Sequence, residues 1–454
     1  MGMLADRPMG DEGYIFYWMQ AAVRSAQNHA LEFAVKQANE AGKPLVVGFG
    51  LDLDYPEATP RTMQFLVEGL VDVAGRLLQR NLELVVREGH PREVAHELAS
   101  DAAAVVTERA YLREPRAWRN QLAKHLDVPM WEIETNVVVP VEVASDKREY
   151  AARTIRPKIH ELLDEFSEKL VTTSLDWGGG APQLDSLPVT AAAELLESVG
   201  LTHDTDAPIA GGESAARATL QAFVADRLDR YADGSSTDFT AGSSSQLSMY
   251  LHYGHISALE ILRKVRAADA PDAAVDDFVE ELVVRRELAH NYVWFEPDYD
   301  KFSSLPDWAR ETLREHRDDE RDEVYTITEL AEGKTSDPYW NAAMVEMRET
   351  GYLHNRMRMY WGKRILHWTN TPEYAYRVAL ELNNRYLYDG RDPNSYANIG
   401  WIFGLHDQAF GENPVFGKVR PMTTAGLERK IDTDAYLAWV ADRTGKEIHG
   451  APTD

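Results

Sequence analysis

Residues 14–18, Tyr-Ile-Phe-Tyr-Trp, and 45–49, Leu-Val-Val-Gly-Phe, decide how the first 135 residues are read. Each is an apolar run too short for a helix, and similar runs recur at 82–86, 104–106 and 129–133. Between them, at about 22–41, 61–80, 91–100 and 113–125, apolar residues return at helical spacing. Strands alternating with amphipathic helices predict a doubly wound, parallel α/β sheet of Rossmann-like type. No G-x-G-x-x-G or G-x-x-x-x-G-K-[ST] follows any of these strands, so the usual phosphate-cradling loops are missing. The fold by itself names no function.

Outward from this sheet the pattern loosens over 136–212, where Trp177-Gly178-Gly179-Gly180-Ala181-Pro182 and the Asp-, Gly- and Pro-rich stretch 202–212 mark a long connection. From 213 to 454 the periodicity is helical almost throughout, at 213–231, 245–267, 274–291, 305–316, 337–349, 353–368, 371–385 and 433–443. The expected organisation is an α/β domain over 1–135, a linker over 136–212 and an all-helical domain over 213–454. A length of 454 residues suits two or three domains.

Composition removes several kinds of chemistry. With no cysteine there is no disulfide, thiolate-bound zinc, iron–sulfur cluster or thiol nucleophile. No run of about 18 apolar residues and no signal-peptide pattern occurs, so a cytoplasmic, monomeric chain without a membrane partner is expected. Lys and Arg number 48 against 74 Asp and Glu, a formal charge of −26, so any nucleic-acid site must be a local basic patch. The run Asp318-Asp319-Glu320 with Asp322-Glu323 reads as a solvated face. There is no H-E-x-x-H, no metal site is expected, and Gly211-Gly212-Glu213-Ser214-Ala215 lacks the last glycine of a nucleophile elbow.

Two segments of the helical half stand out. Residues 353–368, LHNRMRMYWGKRILHW, set Arg356, Arg358, Lys363 and Arg364 beside Tyr360, Trp361 and Trp368 without one carboxylate. Guanidinium groups pair with phosphates and aromatic rings stack on heterocycles, so a dinucleotide cofactor, DNA or both would fit. A core aromatic stripe with a basic outer face gives the same pattern. About a hundred residues earlier, Ser243-Ser244-Ser245-Gln246-Leu247-Ser248 places hydroxyls at a helix start, where free N–H groups favour an anion; a plain Ser N-cap is the simpler reading.

The tail Arg385-Tyr386-Leu387-Tyr388-Asp389-Gly390-Arg391-Asp392-Pro393-Asn394, followed by Gly400-Trp401, His406-Asp407 and Pro414-Val415-Phe416-Gly417-Lys418-Val419-Arg420, resembles the C-terminal signature of the class II cyclobutane pyrimidine dimer photolyases. Tyr17-Trp18-Met19, Asn136-Val137-Val138, Glu149-Tyr150-Ala151-Ala152, Arg156-Pro157-Lys158, Leu251-His252-Tyr253-Gly254, Glu280-Glu281-Leu282 and Gly333-Lys334-Thr335 agree in the same order, so the resemblance spans roughly 14–432. It implies FAD, active when reduced, in the helical domain, an antenna chromophore of unknown identity in the α/β domain, and light-driven electron transfer to a dimer flipped out of DNA.

Residue by residue, the resemblance assigns Tyr231, Ser244, Ser245, Leu247 and Ser248 to the FAD phosphates and ribityl chain, Arg358 and Asp389 to a salt bridge beside the flavin, and Asn383 to flavin N5. Glu281 and Trp401 correspond to the lesion pocket, and Trp361, Trp340 and Trp368 to an electron-transfer chain ending at the surface. The positive stretch with Lys418, Arg420, Arg429 and Lys430 is the expected DNA face. Departures include Arg285 where relatives carry a second aromatic wall, and Trp18-Met19-Gln20-Ala21-Ala22-Val23-Arg24 in place of the usual opening. A cryptochrome-like photosensor that has lost repair is the alternative.

Overall fold

The computed structural model describes residues 1–176, 182–231, 238–240 and 244–451; the glycine run at 178–180 and Ser243 therefore lie outside the described residues. Two compact units interleave along the chain. One comprises Met1–Ala144, Lys158–Val224 and Leu247–Asp269, the other Ser145–Pro157, Ala225–Gln246 and Ala270–Asp454.

The first unit is built on a six-stranded sheet of β1 (Gly2–Ala5), β2 (Tyr14–Trp18), β3 (Leu45–Leu51), β4 (Leu84–Glu88), β5 (Ala102–Glu108) and β6 (Met130–Ile133), in the order β1-β6-β5-β2-β3-β4. All pairings are parallel except that of β1, an antiparallel edge strand absent from the sequence reading. Side chains of β2 alternate strictly between two cores. Ile15 and Tyr17 pack with α1 (His29–Ala41) and α2 (Pro60–Leu78), while Phe16 and Trp18 pack with α3 (Pro91–Ala99) and α4 (Arg113–His125). Helix α1 starts at 29 rather than about 22 because Asn28 accepts the N–H of Leu31 as its cap, and Gln27 before it has φ 47°.

Strand order reverses between β2 and β5, the place where doubly wound sheets bind ligands. Here buried side chains meet one another at that point: Tyr17 Oη donates to Glu108 Oε1 at 2.7 Å, Arg119 pairs with Glu108 Oε2 at 3.7 Å, and Arg24 donates to Thr135 O at 2.6 Å. The expected helix over 245–267 is two, Ser248–His252 and Ala258–Arg266. Gly254 breaks it at φ 70°, where a Cβ would sit 2.1 Å from the carbonyl oxygen of Ala21.

The second unit is helical. Asp272–Val279 continues through a π-helical turn, Glu280–Arg285, into Arg286–Phe295; Asp307–Glu315, Ile327–Glu332, Pro338–Thr350, Asn355–Trp368, Pro372–Tyr386, Pro393–Ile402, Thr424–Glu428 and Thr433–Thr444 follow. Pro338–Thr350 packs on Thr433–Thr444 and Asn355–Trp368, and Arg286–Phe295 packs on Pro393–Ile402. Among the described residues no helix is long and apolar enough to cross a membrane.

Candidate functional site

Helix Asn355–Trp368 carries both of its key residues on one face, because Arg358 and Trp361 are three apart. Arg358 Nη2 reaches both oxygens of Asp389, at 3.1 and 3.2 Å, with the two side chains only 10% and 15% exposed. Asp389 is fixed by its turn: Ser395 Oγ donates to its carbonyl at 2.8 Å, and the N–H of Tyr388 donates to Gly351 O at 2.9 Å. Asn383 is buried; its Nδ2 donates to Asn384 Oδ1 at 3.3 Å, which also takes the N–H of Arg391 at 3.0 Å, tying Asn383 to the same turn.

Around this pair lie further polar groups. Ser244 Oγ and Tyr352 Oη are 3.1 Å apart. Burial pushes the Tyr352 hydroxyl up, with Ser244 opposing and Glu346 adding. The Tyr231 hydroxyl is raised by burial first and then by the Glu281 carboxylate and Tyr352. Tyr231, Ser244, Glu281, Tyr352, Arg358 and Asp389 thus share one neighbourhood, and among the described residues Arg358 Nε is a buried donor with no hydrogen-bond partner. A cation poised over a carboxylate, a spare buried donor and hydroxyls to one side fit an isoalloxazine with its ribityl phosphates. Ser245 is half-buried in this unit, whereas Leu247 and Ser248 belong to the first unit, and the N-cap position of Ser248–His252 is Leu247 rather than a serine.

The three tryptophans form a contiguous series. Trp361 and Trp340 stack with centroids 6.5 Å apart and planes at 7°, and Trp340 meets Trp368 edge-on at 5.5 Å. Hydrogen bonds hold them: Trp340 Nε1 donates to Trp361 O at 2.9 Å, and Asp337 accepts the N–H of Trp340 at 3.1 Å as its helix cap. The expectation that Trp368 reaches the surface is corrected. It is 1% exposed, because the chain at Tyr325 covers the end of its helix, donating its N–H to Trp368 O at 3.1 Å. The half-buried Tyr325 ring meets Trp368 edge-on at 5.3 Å, and Arg364 lies over the Trp368 ring at 4.2 Å.

Glu281 opens to solvent from the π-helical turn, a distortion frequent at functional sites. Surrounding protein still crowds its carboxyl and raises its pKa; Arg285 opposes, while Glu280 and Asp277 add. Arg285 is ion-paired with Glu280 at 2.9 Å, and Glu280 takes Arg156 through two bonds of 2.9 and 2.7 Å. Trp401 is half-buried near the end of Pro393–Ile402, with Lys363 Nζ 5.4 Å and Arg420 Cζ 5.6 Å from its ring centroid. Lys363 donates to the carbonyl of Ile402, and burial pulls its pKa down to about 7. Arg420 pairs with Asp407 at 3.3 Å and lies over Phe410 at 4.3 Å. Lys418, Arg429 and Lys430 are exposed.

Comparison with known proteins bears on this geometry. A model described as DNA photolyase matches residues 15–174, and one described as the FAD binding domain of DNA photolyase matches 278–444. The chain belongs to the DNA photolyase family. Deoxyribodipyrimidine photo-lyases of Methanothermobacter thermautotrophicus and Arabidopsis thaliana are 44% and 36% identical to it, covering 93% and 94% of this chain and 94% and 89% of their own. One from Potorous tridactylus is 35% identical over 95% of this chain and 82% of its own. The solved structures of a class III photolyase from Agrobacterium tumefaciens and a Synechocystis cryptochrome share the fold, with TM-scores of 0.73 and 0.74 over 96% of this chain and 88% and 90% of theirs. They are only 18% and 17% identical to it, and one is a photolyase and the other a cryptochrome, so the fold alone does not separate the two.

For this family member, sequence reasoning missed Tyr352, Glu346 and Tyr325. Lys363 was named within the carboxylate-free segment 353–368, but not its place beside Trp401 and the Ile402 carbonyl. Glu346 had none, because a single acidic residue in an amphipathic helix reads as surface.

Proposed function

We propose that the chain is a light-driven DNA repair lyase of class II type, splitting cyclobutane pyrimidine dimers flipped out of damaged DNA. FAD, when bound and reduced, would supply the one-electron chemistry of dimer splitting. The chain's own residues supply the setting. Arg358, one helical turn from Trp361, would offer a positive charge to the reduced flavin, Asp389 holds that guanidinium in place, and Asn383 would serve flavin N5. Tyr231, Ser244, Ser245, Leu247 and Ser248 take the phosphates and ribityl chain. Glu281 hydrogen-bonds the base edges of the dimer. Trp401 stacks on the dimer, and Lys418, Arg420, Arg429 and Lys430 meet phosphates.

The observation that carries this reading is the unbroken Trp361, Trp340, Trp368 contact beginning one turn from the Arg358–Asp389 pair. Large aromatics filling a helix interface need not start beside a buried ion pair. The names of relatives up to 44% identical favour repair over the cryptochrome-like alternative. An antenna chromophore in the α/β unit and a monomeric state complete the proposal. The test is direct: reduced protein is mixed with dimer-containing oligonucleotide, and dimers are counted by chromatography after illumination and in the dark. Equal dimer content in both samples, with flavin present, would leave the photosensor reading standing.

A further inference from the structure

Asp319, inside the acidic run read as a solvated face, ties two parts of the second unit together. Its Oδ2 accepts from His316 Nδ1 at 2.6 Å and from the backbone N–H of Val415 at 2.8 Å. The other ring nitrogen of His316 faces Glu412 Oε1 at 3.2 Å. Only the doubly protonated imidazolium donates to both carboxylates at once.

The turn that this bridge holds is strained. Val415 has φ 66°, an outlier for a β-branched residue, and Asn413 and Gly417 exchange both backbone hydrogen bonds at 2.8 Å. At Gly417, φ 53°, a Cβ would come within 2.2 Å of Thr312 Oγ1 and 2.8 Å of His316 Cδ2, so only glycine lets the turn lie this close to Asp307–Glu315. Lys418 then gives its N–H to Thr312 Oγ1 at 3.0 Å and leaves its side chain exposed, with Arg420 two residues on.

We propose that His316 is a positioning residue for DNA binding: by bridging Asp319 and Glu412 it pins the strained 412–418 turn and so aims Lys418 and Arg420 at backbone phosphates. This rests on the assignment of Lys418 and Arg420 to the DNA face. Strained backbone persists only where its surroundings over-determine it, and this bridge is a restraint whose strength depends on a proton. Asp319 first and Glu412 second raise the imidazole above its ordinary 6.5, with burial opposing. Arg321 is the other charge facing Asp319. His367, whose ring meets Phe416 at 6.0 Å, is held below its ordinary value by burial first and then Arg364, with Asp322 and Glu323 opposing. Because the folded pKa of His316 is raised, the bridge is complete below 6.5 and is lost as pH rises through the folded value.

The test compares wild type, His316→Gln and Lys418→Ala by anisotropy of labelled duplexes, undamaged and dimer-containing, near pH 6 and pH 8.5 at constant ionic strength. Losing the aim of one or two phosphate contacts predicts binding about 5- to 10-fold weaker for His316→Gln near pH 6 on both duplexes, and a smaller deficit near pH 8.5. Amide exchange at Val415 and Gly417, compared at matched pH, should lose protection in the same variant. If Lys418→Ala weakens binding and His316→Gln does not, the proposal fails alone. If Lys418→Ala binds as wild type, the DNA face is misassigned and the proposal falls with it. A His316→Gln deficit equal at both pH values would make His316 a packing residue and overturn the proposal.

Discussion

Glu346 offers a test of the flavin-side interior that needs no DNA. It is fully buried on Pro338–Thr350; Tyr436 Oη donates to one carboxylate oxygen at 2.7 Å, and the other oxygen has no partner. Burial pushes its pKa from 4.5 up to about 8, with Tyr436 and then Arg443 and Arg358 opposing. A carboxyl whose folded pKa is raised contributes its stability below the unfolded value and loses it as pH climbs towards the folded one. Over the interval from 4.5 to about 8, each pH unit therefore removes about 1.4 kcal/mol, and the loss by pH 8 approaches about 5 kcal/mol. Glu346→Gln cannot ionise, so that slope should vanish. Its amide brings unpaired donors to the site, at about 1–3 kcal/mol, so the variant should start below wild type near pH 4.5 and overtake it between about pH 5 and pH 7. Urea unfolding of flavin-loaded protein, with occupancy read from flavin absorbance, measures both curves. Two parallel curves from pH 5 to 8 would refute the reasoning and mean that Glu346 ionises as an ordinary carboxyl.

Other outcomes follow from the same geometry. Breaking a fully buried ion pair from one side costs about 3–5 kcal/mol, and at 10% and 15% exposure the Arg358–Asp389 pair should lie near the lower end. Arg358→Ala should then bind FAD about a hundredfold more weakly by equilibrium titration; unchanged occupancy would remove Arg358 from the site. Phe at Trp361, Trp340 or Trp368 should slow photoreduction of oxidised flavin while leaving repair by chemically reduced enzyme intact, and normal photoreduction in all three would mean the series carries no electrons. Lys418→Ala should weaken damaged and undamaged DNA alike and lower the salt slope by about one. Arg420→Ala should also reduce preference for dimers, because Arg420 lies against Trp401; an equal effect on both DNAs would place it with the phosphates alone.

What could be read in the sequence follows from how each signal is encoded. Strands β2, β3 and β5 were legible because burial on both faces leaves continuous apolar runs. Strand β1 was not, since only Ala5 of its four residues is buried. Pro393–Ile402 escaped because Asn394, Ser395, Asn398 and Gly400 break its apolar period, although Asp392 caps it from the front. Arg358, Asp389 and the tryptophans could be named from motifs. The buried polar groups around them, Tyr352 and Glu346 above all, are defined by three-dimensional neighbours more than a helix away, which periodicity does not record.

Arg285 is where the repair reading is most exposed, and the energetics favour it more than the bare substitution suggests. Its guanidinium is held by Glu280, but its side chain is 52% exposed, and ion pairs that open to solvent are worth only about 0–1 kcal/mol. Glu280 would not be stranded by its departure, since Arg156 keeps both of its bonds to the same carboxylate. The saturated C5–C6 bonds of a pyrimidine dimer leave no aromatic face, so Arg285 would meet it by donating hydrogen bonds to its carbonyl oxygens rather than by cation–π contact. Swinging from Glu280 towards a flipped dimer gives up little, and the departure also leaves Glu281 with less positive charge beside it. Arg285 lowers the Glu281 pKa where it stands, so its departure would raise that pKa further.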